Sequence, residues 1–130
     1  GRSGRLCKKT GVRFKENGCV DMAAVQDLIN SGIFHTEDPG RSEQPITRVF
    51  CCDLLSVAMG KAPSGCAWVT VIGNRNTLAV ASLADVSCIV LAEGASFTED
   101  DMQCAKEQEI AVFSTDLPVF EAALKVHQLL

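Results

Sequence analysis

Polar residues that could bind a small ligand follow three predicted strands of this 130-residue chain. The apolar runs 66–72, 88–91 and 110–113 each end at a turn, and a helical pattern follows each turn. Repeated strand, turn and helix predict a parallel sheet, in which the carboxyl ends of the strands meet at one edge. Open α/β folds bind ligands at that edge. The side chains there suit an anion or hydroxyl groups, and they indicate no reaction.

We predict a binding crevice at these turns. Arg75 is expected to pair with an anionic group, beside the free amides of a helix start. Asn76 is predicted to cap that helix, and Asp53 to cap the helix that follows a strand at 46–52. For the turn 114–116, ligand binding and helix capping are equally supported. The eight candidates are Asp53, Asn74, Arg75, Asn76, Glu93, Gly94, Thr115 and Asp116.

The elements before the crevice are predicted less clearly. A helix is expected over 22–30, with Asp21 as its cap. A short strand is expected at 33–34, and the polar residues 35–45 predict a surface loop.

Later in the chain, Thr98 is predicted to cap the clearest helix start, and Pro118 is expected in the first turn of the last helix. The whole pattern predicts an α/β domain of two or three layers, with a mainly parallel sheet and flanking helices.

Charge divides the chain into two parts. Residues 1–21 hold six of the twelve basic residues, and we predict a poorly ordered basic extension there, ahead of a domain over 22–130. The domain has six basic and fourteen acidic residues, which argues against nucleic acid as its partner. No apolar run approaches the ~20 residues that span a bilayer, so no membrane partner is expected.

Seven cysteines, an odd number, favour a reducing compartment over a disulfide scaffold, so we expect a cytoplasmic protein. There is no CxxC pair, and His35 and His127 are far apart, so no metal site is expected. The adjacent Cys51 and Cys52 point to opposite faces of a strand, which predicts that at least one is accessible. Packing is the favoured role, and thiol redox chemistry is the enzyme-class alternative.

Three turns resemble the DRTGG domain family. Its pattern has Gly-Asp-Arg after one strand, Thr-Gly-Gly after the next and Ser-Thr-Asp after the third. Residues 73–75 read Gly-Asn-Arg, residues 92–94 read Ala-Glu-Gly, and residues 114–116 read Ser-Thr-Asp. Residues 52–56, Cys-Asp-Leu-Leu-Ser, also look like the family's helix start. The likeness covers about 22–130 and is that of a divergent, stand-alone member.

The resemblance implies a fold similar to the amino-terminal domain of HPr kinase/phosphorylase. The family accompanies nucleotide-sensing CBS domains in a pyrophosphatase and occurs in some phosphate acetyltransferases. The branch that this chain resembles is associated with clostridial-type bacteria and iron-hydrogenase gene neighbourhoods. These settings imply a regulatory module rather than an enzyme. Glu93, where the family has glycine, adds charge and bulk that disfavour a phosphate at that turn.

Two functions follow as expectations. The first is a non-catalytic regulatory domain that senses a small anionic metabolite or nucleotide at the strand ends. A nucleotide or another phosphate-containing ligand is then the expected small molecule, with no resident cofactor. The alternative is a ligand-free interaction module, working as a homodimer or with a protein encoded in a redox (hydrogenase-type) operon.

Overall fold

The structure, a computed structural model, describes residues 13–14, 20–21 and 23–130. The predicted poorly ordered extension over 1–21 lies outside the described residues, except for two short strands. No described helix is long and apolar enough to cross a membrane. The elements are β1 (Arg13–Phe14), β2 (Val20–Asp21), α1 (Val25–Ser31), β3 (His35–Asp38), β4 (Arg48–Cys51), α2 (Leu55–Lys61), β5 (Cys66–Thr70), α3 (Arg75–Ala84), β6 (Cys88–Leu91), α4 (Glu99–Glu107), β7 (Ala111–Ser114) and α5 (Val119–Leu129).

The main sheet has five strands in the order β3-β7-β6-β5-β4. Strands β4 to β7 are parallel, and β3 pairs antiparallel with β7 at one edge. Strands β1 and β2 form a separate antiparallel pair. The carboxyl ends of β4 to β7 therefore lie along one side of the sheet, as the sequence predicts.

Helices cover both faces of the sheet. The apolar residues of α1 and α5 pack on one face, and those of α2, α3 and α4 pack on the other. The fold is a three-layer α/β domain with a mainly parallel sheet, which confirms the predicted fold class. Strands β5 and β6 are almost entirely apolar, so both of their faces must be covered. The helices on either side of the sheet do this, and every residue of the two strands is buried.

Trp68 anchors the face beneath α2, α3 and α4. Its ring is fully buried, and its indole Nε1 donates to the carbonyl oxygen of Cys52 at 3.0 Å. This bond joins the middle of β5 to the end of β4, so a polar atom in the core is satisfied. The neighbouring Val69 packs on the opposite face, as the period of two along a strand demands.

The early part of the domain differs from the prediction. The strand expected at 33–34 lies at His35–Asp38, in what was expected to be a loop. Its polar sequence is tolerated because the strand is at the sheet edge, where one face meets water. Helix α1 begins at Val25, and the amide of its N-cap residue Ala24 donates to the Asp27 carboxylate at 2.8 Å. The prediction that Asp21 caps this helix is therefore wrong.

Candidate functional site

Asp53 connects the ends of two strands. Its Oδ1 accepts hydrogen bonds from the Thr70 hydroxyl at 2.7 Å and from the Val71 amide at 2.8 Å. The N-cap of α2 is Leu54, which makes no side-chain capping bond. The prediction that Asp53 caps α2 is therefore wrong. Two donors from β5 and the residue after it hold this carboxylate because β4 and β5 end side by side.

The start of α3 is capped by Asn74. Its side-chain oxygen accepts from the amide of Asn76 at 2.9 Å, and its backbone is extended, as an N-cap requires. The prediction that Asn76 is the cap is wrong by two positions. The helix begins earlier than expected, with Arg75 as its first residue. Asn76 itself is exposed in the first turn.

Arg75 is held by a carboxylate on the neighbouring helix. Its Nε donates to Asp101 Oδ1 at 3.1 Å. The Asp101 side chain is only 12% exposed, whereas that of Arg75 is 60% exposed. Among the described residues, no bond to the two Nη groups of Arg75 is seen. The guanidinium is thus oriented at one nitrogen and remains open to a ligand at the other two.

Asp101 is the functional candidate that the sequence analysis missed. Its backbone amide donates to the hydroxyl of Thr98, which is the predicted cap of α4. Local sequence explains that capping bond but not the contact with Arg75, which is 26 positions away. Only the packing of α3 beside α4 brings the two side chains together.

Glu93 occupies the start of α5. Its Oε2 accepts from the amide of Val119, the first residue of that helix, at 3.3 Å. Its backbone has a φ of 59°, and its amide donates to the carbonyl of Leu117. Gly94 follows with a φ of 77°, and its amide donates to the carbonyl of Thr115. A carboxylate therefore already lies where the helix start could attract an anion.

The polar turn after β7 is used mostly within the fold. The Ser114 hydroxyl donates to Glu37 Oε2 at 2.6 Å, and the Thr115 hydroxyl accepts from the Leu117 amide at 3.1 Å. The N-cap of α5 is Pro118, so the turn does not cap the helix directly. Asp116 is exposed beside Gly94. Of these three residues, Asp116 is the exposed one, and Ser114 and Thr115 are half-buried.

Gly73 makes the closest approach between the loops. A Cβ atom at this position would overlap the backbone oxygen of Ser96. Glycine at this position lets the loop after β5 touch the loop after β6. The hydroxyl of Thr77 also donates to the carbonyl of Ile72 at 2.8 Å, which fixes the same loop from the helix side.

The electrostatics of the strand ends are mainly negative. Asp53, Glu93, Asp101 and Asp116 supply four carboxylates, and Arg75 supplies one guanidinium. The geometry brings Arg75, Asn74 and Asp53 to the ends of β4 and β5, and Glu93, Gly94 and the 115–116 turn to the ends of β6 and β7. The crevice can therefore take one anionic group at Arg75, with carboxylates available to accept from hydroxyl or amino groups.

The Cys51 thiol near this edge is not activated as a nucleophile. Cys51 is exposed, but partial burial of its thiol and then the nearby Asp53 carboxylate raise its pKa. The Cys52 thiol donates to the carbonyl of Leu54 at 3.3 Å. Deeper in the sheet, burial raises the pKa of Cys66 to about 12. A nucleophilic cysteine needs the opposite shift. Within 23–130 and the two short strands, no cluster of metal-ligating side chains is found.

The fold is similar to that of a regulatory protein. No family model matches the chain, and no curated protein matches it. Among solved structures, it resembles the CBS and DRTGG domains of the regulatory region of Clostridium perfringens pyrophosphatase, crystallised with its activator, diadenosine tetraphosphate. The TM-score is 0.62 and the identity is 18%, over 82% of this chain and 45% of that one. This likeness shows a related fold, and the chain spans less than half of that regulatory region.

Proposed function

We propose that this protein is a non-catalytic regulatory domain that binds a small ligand at the strand ends, through an anionic group on Arg75. The observation that supports this most directly is the exposed guanidinium, oriented at Nε by the mostly buried Asp101. An arginine fixed in this way loses less conformational entropy when it binds an anion than a freely rotating one. Its open Nη groups suit one phosphate or carboxylate.

The surrounding carboxylates limit the ligand. Asp53 and Asp116 can accept hydrogen bonds from ribose hydroxyls or from an amine, but they repel a second and third phosphate. We therefore propose a nucleotide or metabolite with few negative charges. The activator in the similar pyrophosphatase region makes adenine nucleotides the first compounds to test.

A binding role is also better supported than catalysis. The raised pKa of Cys51 keeps its thiol protonated at neutral pH, which weighs against the redox alternative. We propose a cytoplasmic location for the same protein. The cysteines at 51, 52, 66, 88 and 104 are free, as a reducing compartment would keep them.

A thermal-shift series tests the ligand. The panel is AMP, ADP, ATP, diadenosine tetraphosphate, dinucleotide cofactors and inorganic phosphate, each at several concentrations. A ligand at about 100 times its dissociation constant should add ~2.7 kcal/mol to the free energy of unfolding. Compounds with one or two phosphates should shift the melting temperature more than the tetraphosphate does.

Two arginine variants provide the control. Arg75→Ala should abolish the shift, whereas Arg48→Ala should preserve it. Arg48 is also exposed, but it is the first residue of β4. It therefore lies where the parallel strands begin, at the end of the sheet opposite to the crevice. A shift that survives Arg75→Ala would place the ligand elsewhere. A silent panel on folded protein would remove the ligand-binding proposal.

The second candidate function is self-association or binding to a protein from the same operon. It is favoured by four exposed apolar side chains on the neighbouring helices α2 and α3 and at the start of α2: Leu54 (59% exposed), Val57 (38%), Met59 (57%) and Leu83 (75%). Helices α2 and α3 pack beside each other, so these side chains belong to one layer of the fold. Large exposed apolar patches are typical of an interface.

Light scattering over a concentration series tests the homodimer. Leu83→Glu should convert a dimer to a monomer. Phe120→Glu should leave it intact, because Phe120 is just as exposed but belongs to α5 on the other side of the sheet. If the protein remained a monomer at high concentration, the homodimer proposal would be rejected. Binding to a protein from the same operon would then be the remaining form of this second function.

A further inference from the structure

A groove lies between the edge strand β3 and helix α4, and none of the eight predicted ligand-binding residues lines it. Its volume is about 380 Å³. One wall is formed by Glu37 and Asp38 of β3, and Phe97 lies just before the helix that forms the other. The helical residues in the groove are Glu99, Met102, Gln103 and Lys106. Their spacing of three and four places them on one face of α4.

Strand β3 can accept another strand. In the main sheet it pairs with β7 on one side, and the described residues place no strand on its other side. An edge strand presents unpaired backbone donors and acceptors. Extended peptides bind such edges by adding a strand, while side-chain pockets beside the edge provide selectivity. Here α4 provides the wall that such a pocket needs.

The same edge opposes pairing with itself. Strand β3 is short and irregular between Thr36 and Asp38, and both Glu37 and Asp38 carry negative charge. A second copy of β3 would bring two more carboxylates against these two, and like charges on paired strands repel. A strand rich in lysine or arginine would meet attraction instead.

The groove also has an apolar component. Phe97 is 9% exposed and Met102 is half-buried, and both line the groove. In the same lining, the carboxylates of Glu37, Asp38 and Glu99 outnumber the single ammonium group of Lys106. This combination matches a strand in which apolar and basic residues alternate, because successive side chains point to opposite sides.

We propose that this groove binds an extended basic segment of a partner protein, which adds to the sheet beside β3. The apolar side chains of that segment contact Phe97 and Met102, and its lysine or arginine side chains lie near Glu37, Asp38 and Glu99. The site adjoins the strand-end crevice, because the Glu37 carboxylate in its wall also accepts from the Ser114 hydroxyl in the turn after β7. It does not depend on a small ligand in that crevice.

Three synthetic peptides test the chemistry of the occupant with the full chain. The first alternates valine and lysine, the second alternates valine and glutamate, and the third has glycine in place of valine in the first. Fluorescence anisotropy should show binding of the valine–lysine peptide alone, weakened by salt because charges contribute. Hydrogen exchange should slow at the amides of β3. Equal binding of the glycine–lysine peptide would reduce the effect to non-specific charge and overturn the proposal.

A matched pair of variants tests the location. Glu99→Gln should weaken the valine–lysine peptide about threefold, the scale of one exposed charge pair. Asp100→Asn should leave it unchanged, because this neighbour shares the first turn of α4 but does not line the groove. Equal effects of both variants, unchanged exchange in β3, or no binding of the valine–lysine peptide would each overturn the proposal.

Discussion

Helices α3 and α5 start at the same edge of the sheet but treat negative charge in opposite ways. At α3, the neutral side chain of Asn74 caps the first turn, and Arg75 adds a positive charge. At α5, the carboxylate of Glu93 already accepts from the first helical amide. Both starts have the partial positive charge of a helix N-terminus. Only the start of α3 leaves that charge available to an outside anion.

The difference shows that a helix start is not sufficient to predict an anion site. What decides is whether the protein's own carboxylate already occupies the amides. On this criterion, the proposed ligand would bind where β5 ends and α3 starts, the open side of the crevice. The place where β6 ends and α5 starts, which Glu93 occupies, is its closed side. Four pairs of variants separate the two sides.

Gly73→Ala should have the largest effect. The added Cβ would overlap the Ser96 backbone next to the start of α3, so we expect a loss of about 1–3 kcal/mol in the free energy of unfolding. The control is Gly60→Ala in α2, where no atom lies within 4 Å of the new Cβ. That variant should be stabilised by about 0.5–1 kcal/mol. Urea denaturation of both measures the contrast, and equal stabilities would contradict the loop contact.

Asn74→Ala should be the next largest. Loss of the N-cap bond should cost about 1 kcal/mol in urea denaturation. Asn76→Ala should be neutral or stabilising, because an exposed first-turn residue gains helix propensity when it becomes alanine. If Asn76→Ala were instead the less stable of the two variants, Asn76 would be the cap and the helix would start two residues later.

Glu93→Gly and Glu109→Gly isolate the carboxylate at α5. Both glutamates have a φ of 59°, so glycine relieves the same backbone strain at each. Only Glu93 bonds to a helix start, so its variant should be the less stable by about 0.5–1 kcal/mol. Glu93→Gly should also gain stabilisation by inorganic phosphate in a thermal-shift assay. If phosphate stabilised neither variant more than the parent, the Glu93 carboxylate would not be what keeps anions away from the start of α5.

Asp53→Asn should have the smallest effect and concerns the Cys51 thiol. The Asp53 carboxylate disfavours the nearby thiolate, so its neutralisation should lower the Cys51 pKa towards the ordinary value of 9.0. Alkylation of Cys51 below that pH, followed by mass spectrometry, should then be faster. Asp85→Asn, at the far end of α3, should not change the rate. If alkylation of Cys51 were no faster in Asp53→Asn, burial alone would account for the raised pKa of its thiol.

The central strands could be predicted from the sequence because burial on two faces leaves a continuous apolar run. Strands β5 and β6 lie within the predicted runs, β7 is displaced by one residue from the run at 110–113, and the predicted cap Thr98 is confirmed. Strand β3 could not be predicted in the same way. Its residues are polar and charged, and only its pairing with β7 makes it a strand.

The sequence predicts which polar turns meet at the ends of the strands, but not which side chains bond to each other there. The strand order places the polar turns together, but Arg75 and Asp101 meet only because α3 packs beside α4. The sequence predicts that Asp53 caps the helix that follows it, because an aspartate just before a helix commonly caps it. Its bonds to Thr70 and Val71 come from the neighbouring strand, and no local pattern encodes that choice.

Helix α4 contributes to both proposed sites from different sides. Its Asp101 holds Arg75 at the crevice, and its Glu99 and Met102 line the groove beside β3. If either the small ligand or the peptide displaced this helix, the binding site of the other would change as well. Thermodynamic reciprocity then applies: if a bound peptide tightens the small ligand by some factor, the ligand must tighten the peptide by the same factor. Two titrations, each performed with and without the other occupant, would measure how far this short helix lets the protein respond to two signals at once.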